Sequence, residues 1–512
     1  DRVSDALYSV GMFLFFILAF NLLGYSYQQE NWDGLGAGSS QFFTDLFLWN
    51  KLEAGNVARP PVSSSKGKNE LGSYFGRINY SLLDKYLFTF SLRYDGSSKF
   101  GKNNKWGLFP SGAFAWKMQN ENFLKDVDWL SELKLRVSFG QTGNSNIGGN
   151  AYEYYEAGNQ YVFGDAVQTG SIKSQLENPD LKWETTTELN VGLDFGFLNN
   201  RITGSFEYFH KVVSDLLAFR KLNSLMEVST IADNIGATQS TGYEFSLNTV
   251  NLTGPFKWNT TLNISSYKDR WKERNPDVVL APYEKEDAPI RAIYGCVSDG
   301  ILQIGETPPA SMPDLLPGQM KVKDLNGFDP NDGSKLLGHP DGKIDAADRI
   351  YLGSTDPKVI IGFGNMLEYK NFDLNIFFYG MFGQYVANSN RAKYGPSGCE
   401  YILQRQNYSK EVLERWTPDN PTNKFPSGFY SAYYGGDDWL LEKVSFVRCK
   451  NITLGYSFPH KWIHKVFSQA RIYVDVENPF IITNYQGLDP EMDSKGGYPS
   501  QRTYSIGIDI TF

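Results

Sequence analysis

Cysteine, histidine and long apolar segments are all scarce in this chain of 512 residues. Its three cysteines, Cys296, Cys399 and Cys449, lie far apart, so they indicate neither a disulfide framework nor a metal site of closely spaced thiols. The apolar run at residues 12–20 is shorter than the ~20 residues that a transmembrane helix needs. It also lacks the basic region and cleavage site of a signal peptide. We interpret it as a strand that continues through Leu22 and Tyr25.

Positive charge and catalytic motifs are lacking as well. Lys and Arg number 49 against 57 Asp and Glu, a net charge of −8, which disfavours a nucleic-acid partner because such proteins present a basic face. The four histidines are scattered, and neither H-E-x-x-H nor G-x-S-x-G occurs. Pairs of acidic residues suited to glycoside hydrolysis are abundant, but nothing distinguishes one pair from another. No enzyme is predicted.

Aromatic residues, in contrast, are abundant. The chain has 31 Tyr, 36 Phe and 11 Trp, or 15% of all residues, which fits the aromatic girdles of a barrel at two membrane interfaces. The mean hydropathy of −0.38 is too low for a helical membrane protein. A membrane protein of this composition would therefore cross the bilayer with strands.

The clearest pattern in the chain is a strict alternation of side-chain types. In residues 503–512, apolar or aromatic side chains occupy every second position, and the side chains between them are small or polar. A period of two predicts a β-strand with one apolar face and one polar face. The same alternating pattern is found at residues 86–95, 133–140, 189–197, 202–211, 243–249, 258–266, 372–379, 444–456 and 472–477. Charged residues recur on the polar faces, where a water-filled lumen would accept them and a packed core would not.

The connections between these strands are of two kinds. Asp84-Lys85, Asn199-Asn200 and Lys370-Asn371 mark tight turns. Long connections are predicted at residues 29–71, 142–182, 268–356 and 384–438, which is typical of an outer-membrane barrel with its long loops outside the cell. About fourteen strands, each near the ~10 residues of a tilted membrane strand, predict an all-β fold, a transmembrane antiparallel β-barrel. A soluble β-sandwich is the alternative.

Six short motifs carry further information. They are YDGSSKFG at residues 94–101, WGLFPS at 106–111, NPDLKWET at 178–185, FVRCKNITLGY at 446–456, NPF at 478–480 and GLDPE at 487–491. Together they resemble one family, the SusC/RagA-type TonB-dependent transporters of Bacteroidetes. The resemblance covers residues 23–512, and the motifs are specific as a set although each alone would be weak.

This resemblance implies a barrel of about 22 strands with a plug domain inside it and a TonB box ahead of the plug. The chain resembles only the C-terminal portion of such a barrel, about fourteen of those strands, with the plug domain absent. Residues 23–512 are expected to form the barrel-like domain with long extracellular loops. Residues 1–22 resemble the family poorly and are expected to be a junction or a truncated strand.

The resemblance also implies a function in the outer membrane. A SusC-type transporter imports an oligosaccharide or peptide substrate, works with a SusD-like lipoprotein and takes its energy from TonB–ExbB–ExbD, and its barrel contacts outer-membrane lipid. One alternative is a passive porin or a siderophore-type receptor. Another is a secreted β-rich protein that binds or hydrolyses glycans.

One Asp-rich connection looks like a divided calcium loop. D-L-N-G at residues 324–327 is followed, after an insertion at 328–340, by D-G-K-I-D-A-A-D at 341–348. Ca²⁺ takes about six to eight oxygen ligands at alternating positions. The predicted ligands are the side chains of Asp324, Asn326, Asp341, Asp345 and Asp348 and the carbonyl oxygen of Lys343. Similar divided loops occur in the family, although Asp348 stands here in place of a bidentate Glu. The alternative is a turn cluster whose side chains cap its own backbone.

Aromatic residues in or beside the long connections form a last set of candidates. Exposed aromatic rings stack well on sugar rings, whereas the alternative is that they belong to the interface girdles. The set consists of Trp32, Tyr154, Tyr155, Tyr161, Tyr433, Tyr434 and Trp439.

Overall fold

The structure is a computed structural model. It describes residues 19–57, 60–147, 151–388, 390–391, 395, 407–427, 438–464, 466–492 and 498–512. The predicted junction at residues 1–22 lies outside the described residues except for its last four residues, which belong to a strand. Cys399, Tyr433 and Tyr434 also lie outside the described residues.

More than half of the described residues lie in strands. In chain order the strands are β1 (Ala19–Ala37), β2 (Val62–Leu82), β3 (Tyr86–Ser97), β4 (Trp106–Lys117), β5 (Leu130–Asn144), β6 (Tyr154–Phe163), β7 (Ala166–Gln175), β8 (Glu184–Phe197), β9 (Ile202–Ser214), β10 (Leu217–Lys221), β11 (Thr230–Asn234), β12 (Ala237–Thr253), β13 (Phe256–Glu273), β14 (Ala292–Gly295), β15 (Ser298–Ile301), β16 (Met320–Val322), β17 (Phe328–Asp329), β18 (Asp332–Leu336), β19 (Ile350–Ser354), β20 (Val359–Tyr369), β21 (Phe372–Ala387), β22 (Leu441–Ser457), β23 (Gln469–Thr483) and β24 (Thr503–Thr511).

Among the described residues, the helices that can be delimited are few and short. The α-helix α1 covers His460–Ile463, and 3₁₀ turns cover Asp45–Asn50, Leu52–Ala54, Met118–Asn120, Ala346–Asp348, Lys410–Glu414 and Asp438–Leu440. None of the helices in the described ranges is long and apolar enough to cross a membrane.

Fourteen strands form one sheet in the order β1-β2-β3-β4-β5-β8-β9-β12-β13-β20-β21-β22-β23-β24. The remaining strands pair as five small ribbons, β6 with β7, β10 with β11, β14 with β19, β15 with β16, and β17 with β18. The prediction of an all-β fold with about fourteen large antiparallel strands is confirmed.

The tight turns are confirmed, and their backbone explains their sequences. Asp84, Asn199, Asn200 and Lys370 all have positive φ, between 53° and 61°. Asn and Asp tolerate this left-handed region better than most residues because their short side chains hydrogen bond locally. Each turn therefore joins two long neighbouring strands with very few residues.

The first long connection is shorter than predicted. β1 and β2 pair residue for residue up to Ala37 and Val62, so residues 29–37 and 62–71 are strand and not loop. Backbone pairing needs no apolar face, and this ribbon is rich in Ser, Gly and Lys, so no alternation marks it in the sequence. The connections at residues 145–183, 274–358 and 388–440 are long, as predicted.

By their internal contacts, the residues divide into two compact units. Unit 1 consists of Asp1–Phe114, Ser138–Glu188 and Val213–Ala237, as far as these are described. Its buried cluster contains Phe100, Phe109, Leu181 and Trp183, which all come from the motifs at residues 94–111 and 178–185. The Trp183 ring lies 5.0 Å from Phe100 and 5.5 Å from Phe109 between centroids. These motifs therefore build a core and not a reactive site.

Unit 2 consists of Ala115–Val137, Leu189–Val212 and Thr238–Phe512, again within the described ranges. Its long connection between β13 and β20 has a buried cluster of its own. This loop core consists of Cys296, Leu302, Met312, Leu315, Val322 and Ile344. The connection is thus a folded element with apolar packing inside it.

Candidate functional site

Strand β3 of unit 1 shows two chemically different faces. Phe88 and Phe90 are 44% and 53% exposed. The side chains between and after them, Thr89 and Ser91, line a cavity of about 510 Å³. Successive side chains of a strand point to opposite faces, so one face is apolar and open while the other is polar. This is the arrangement of a barrel wall between lipid and a water-filled lumen.

Six of the side chains that line the cavity carry a small hydroxyl group, and a few others are charged. Arg77 Nε donates to Ser91 Oγ at 2.9 Å. Ser111, Thr142 and Glu188 contribute further oxygen atoms to the lining. These groups can hydrogen bond a polar solute, and their small size leaves room for it.

In unit 2, charged side chains on the polar face form a network. Arg136 of β5 donates to Asp194 of β8 twice, from Nε to Oδ2 at 2.9 Å and from Nη2 to Oδ1 at 2.8 Å. The same Nη2 lies 2.7 Å from Glu207 Oε1 on β9, and Lys134 Nζ lies 2.7 Å from Asp194 Oδ2. A Cβ at Gly192 would lie only 2.9 Å from Arg136 Nη2. The glycine therefore leaves room for the guanidinium to cross β8.

A similar ion-pair network, again crossing a glycine, lies on the last four strands of the sheet. Arg471 of β23 donates to Asp373 of β21 from Nε at 3.0 Å and from Nη2 at 2.6 Å. It also donates from Nη1 to Asp509 of β24 at 3.2 Å. Gly455 of β22 lies beneath the guanidinium, while Ile506 on the opposite face of β24 is 76% exposed. Both units thus combine a polar face with an exposed apolar face.

Two of the motifs meet in a buried ion pair. Arg448 of β22 donates from Nη2 to Asp489 Oδ1 at 2.5 Å and from Nε to Glu491, and Lys450 Nζ lies 3.0 Å from Glu491 Oε1. Arg448 and Asp489 are both nearly inaccessible to solvent. Burial alone would raise the pKa of Asp489, but backbone N–H donors from Glu491 and Ser500 and the charge of Arg448 lower it. The sequence analysis did not predict this pair, although the two residues lie in the motifs at residues 446–456 and 487–491.

The structure brings the two halves of the predicted calcium loop together. Asp324 accepts from the N–H groups of Asp341 and Gly342 at 3.3 and 2.8 Å. The buried Asp348 accepts from Leu325 at 2.7 Å and from Asn326 at 3.1 Å through Oδ1.

Further side-chain oxygen atoms of this loop also accept backbone N–H groups. Asp348 Oδ2 accepts from the N–H group of Asp345, and Asp345 Oδ1 accepts from that of Ala347. Asp341 Oδ1 accepts from the N–H group of Lys343. Asn326 Oδ1 accepts from Gly327 and Gly338. These contacts support the alternative of self-capping. Within the part of the chain that the structure describes, no three His, Cys, Asp or Glu side chains are placed to hold a metal ion. Calcium binding by this loop stays a prediction.

Four of the aromatic candidates from the long connections are exposed. Trp32 is 45% exposed in β1, and Tyr154, Tyr155 and Tyr161 are 46%, 62% and 54% exposed in β6. Trp439 is partly buried in a 3₁₀ turn. Their roles in binding or in an interface girdle stay predictions.

Comparison with known proteins agrees with this geometry. The sequence profile described as "TonB dependent receptor-like, beta-barrel" matches residues 5–308. TonB-dependent receptor P3 of Formosa agariphila is 34% identical over 96% of this chain and 50% of its own length. TonB-dependent receptor SusC of Bacteroides thetaiotaomicron is 36% identical over 87% of this chain and 44% of its own length.

Among solved structures, the RagAB peptide importer in its "closed-closed" state superposes with a TM-score of 0.80 at 25% identity, over 96% of this chain and 53% of that chain. The chain spans about half the length of the curated relatives that it matches.

These findings define a β-barrel protein of the bacterial outer membrane. The chain belongs to the TonB-dependent receptor family. The resemblance to the SusC/RagA type that the motifs carry is confirmed by the same relatives. The expected outer-membrane location is confirmed as well, which argues against the secreted alternative.

Proposed function

We propose that this chain is the barrel portion of an outer-membrane nutrient importer that takes up oligosaccharides or peptides. The observation that carries the proposal is the 36% identity to a TonB-dependent receptor SusC over 87% of the chain. The likeness to the RagAB peptide importer supports a substrate of oligomer size. The small hydroxyl groups of the cavity in unit 1 are suited to the passage of a hydrated solute.

The energy source and the partner belong to the same proposal. Transport is driven from the inner membrane through TonB–ExbB–ExbD, and a SusD-like lipoprotein covers the barrel from outside. The long connections at residues 145–183, 274–358 and 388–440 supply the surface for such a partner. The loop core shows that at least one of them is a folded surface.

Uptake measurements test this function directly. Cells with and without the gene are given labelled oligosaccharides and labelled peptides, each with and without a protonophore that abolishes energy coupling. We expect uptake of one substrate class that requires both the gene and the proton-motive force. Gene-dependent uptake that is insensitive to the protonophore would indicate a passive porin. A growth defect confined to iron-limited medium would indicate a siderophore-type receptor.

The partner is tested by purification. Affinity-tagged protein extracted from outer membranes should bring a SusD-like lipoprotein with it in a ratio near one to one. Its absence under mild detergent extraction would remove the lipoprotein from the proposal while leaving energy-dependent import intact.

A further inference from the structure

Two of the four histidines in the chain lie four residues apart at one short helix. His460 is the first residue of α1, and His464 directly follows its last residue. The N–H group of His464 donates to the carbonyl oxygen of His460 at 2.9 Å, which is the hydrogen bond of one full α-helical turn. Side chains four residues apart on a helix lie on the same face, so the two imidazoles are neighbours.

The rings of His460 and His464 face one another at the protein surface. Their centroids are 5.8 Å apart with 28° between the ring planes, and both residues are exposed. A metal–nitrogen bond is about 2.0–2.1 Å long and a ring nitrogen lies about 1.1 Å from its centroid, so two rings that share one tetrahedral ion have centroids about 5 Å apart. A small rotation of either exposed side chain closes the difference.

A hydrogen bond orients the second imidazole. His464 Nδ1 lies 3.1 Å from the carbonyl oxygen of Lys461. A carbonyl oxygen can only accept, so in the neutral ring Nδ1 carries the proton and Nε2 keeps its lone pair for another bond. Histidines that bind metals usually have their other ring nitrogen held by a carbonyl or carboxylate oxygen in this way.

The two histidines lie in the connection between β22 and β23. This connection begins beside the tight turn at residues 370–371, where Asn371 Nδ2 donates to the carbonyl oxygen of Ser457 at 2.7 Å. The long connection at residues 388–440 leaves from the other end of β21. In outer-membrane barrels the short turns face the periplasm and the long loops face outward. The two imidazoles are therefore accessible from the periplasm.

We propose that His460 and His464 form a binding site for one divalent cation of borderline softness, Zn²⁺ or Cu²⁺. Imidazole nitrogens suit these ions, whereas Ca²⁺ and Mg²⁺ prefer oxygen ligands. Within the described ranges, no three His, Cys, Asp or Glu side chains are placed to hold a metal ion, so water completes the coordination of this two-ligand site. The site is distinct from the predicted calcium loop and does not depend on the transport function.

A bound cation would also fasten the helix. α1 has only four residues, and isolated helices shorter than about 12–15 residues are marginal in water. A cation that bonds to both rings bridges the helical turn from His460 to His464. The N–H groups of His464 and Phe467, which donate to the carbonyl oxygens of His460 and Ile463 at 2.9 Å, should then exchange more slowly with solvent.

Metal titrations of the full-length protein test the site. The protein is purified in detergent through a tag that contains no histidine, stripped with EDTA and dialysed. Zn²⁺ is then titrated by calorimetry in an excess of Mg²⁺, which occupies carboxylates and lipid headgroups. We expect one equivalent of bound Zn²⁺ that His460→Ala and His464→Ala each weaken about tenfold or more, because each variant loses a ligand. Cu²⁺ should give an electron paramagnetic resonance spectrum of two-nitrogen coordination that is lost in the same variants.

His339→Ala is the matched control. His339 is also exposed, and its Nδ1 lies 3.0 Å from the carbonyl oxygen of Pro340, but no histidine lies four residues away on either side. This variant should bind Zn²⁺ and Cu²⁺ like the wild type. Heat-modifiable gel migration shows whether each variant is folded. Hydrogen exchange of residues 460–468 should slow with Zn²⁺ in the wild type and in His339→Ala, and stay unchanged in the other two variants.

Three results would overturn the metal site. The first is Zn²⁺ binding that is equally tight in the wild type and in the His460→Ala/His464→Ala double variant. The second is a loss of binding in only one of the two single variants, which would show that the rings do not act together. The third is an equal loss of binding in His339→Ala.

Discussion

Arg471 and Asp373 form an ion pair with two hydrogen bonds across the strand that separates them. Arg471 lies on β23 and Asp373 on β21, and the donor–acceptor distances are 3.0 and 2.6 Å. A Cβ at Gly455 of the intervening β22 would lie 2.4 Å from Arg471 Nη2 and 2.5 Å from Asp373 Oδ1. The ion pair can therefore form only because residue 455 is a glycine.

Gly455→Ala should destabilise the protein, although alanine suits a strand interior better than glycine. The new methyl group displaces the guanidinium, and the loss of hydrogen bonds between charged groups costs about 1–3 kcal/mol. Urea unfolding in detergent measures the change. Gly254→Ala, at a glycine with no neighbour within 4 Å, should have little effect.

A double-mutant cycle tests whether Gly455→Ala destabilises the protein by displacing the Arg471–Asp373 pair. On an Asp373→Ala background, Gly455→Ala should add little because the pair is already broken. Additive effects of the two substitutions would show that Gly455 serves another purpose.

Phe90 and Ser91 provide a test of the two faces within one strand. An Arg at a lipid-facing site near the membrane midplane costs roughly 2–4 kcal/mol, and much less on the lumen side. Phe90→Arg should therefore reduce the amount of heat-modifiable protein in the outer membrane far more than Ser91→Arg. Equal losses from the two neighbours would contradict the assignment of the faces.

The loop after β23 should loosen in acid. The pKa of Asp489 is lowered in the folded protein by backbone N–H donors and Arg448, despite burial that opposes this. Its contribution to stability is therefore complete above the unfolded pKa, near ~3.9, and is lost as the pH falls through the lower folded pKa. Hydrogen exchange of residues 484–492, corrected for the intrinsic rate, should stay slow from neutral pH to about 5 and speed up below about 4.

Asp489→Asn should exchange faster at neutral pH and lose most of this pH dependence. Asp419→Asn, at an exposed carboxylate on another connection, should keep the wild-type profile. A wild-type profile in Asp489→Asn would assign the acid response to other groups.

The calcium prediction can be tested at Asp345 because capping and calcium binding respond differently to substitution. Its side chain caps the 3₁₀ turn Ala346–Asp348, and Asn caps about as well as Asp but carries no charge. If Ca²⁺ binds, EDTA should make residues 324–348 sensitive to protease, and Asp345→Asn should be sensitive with or without Ca²⁺. If the loop only caps itself, EDTA should change nothing, and Asp345→Ala but not Asp345→Asn should become sensitive.

The long strands could be predicted from the sequence because a strand with one apolar and one polar face alternates between the two types of side chain. The alternation at residues 86–95 and 503–512 predicted strands that the structure contains, and Asn199 and Asn200 marked a real turn. The paired ribbon of β1 and β2 beyond residue 29 was not predicted, because its Ser and Gly residues carry no facial pattern.

Residues that act together from distant positions were harder to find. Arg448 and Asp489 lay in two separate motifs, about forty residues apart in the sequence. Their proximity depends on the pairing of β22 with β23 and on the course of the connection after β23, neither of which is encoded in local spacing. The calcium candidates were found because they are close in sequence, and the same closeness lets them cap one another.

The loop core between β13 and β20 has a consequence for how such a protein can diversify. Cys296, Leu302, Met312, Leu315, Val322 and Ile344 pack with one another inside a single connection. A connection that carries its own interior is held together from within, so its outer surface can change without disturbing that interior. The exposed residues of this connection can then diverge between relatives while its buried cluster stays the same.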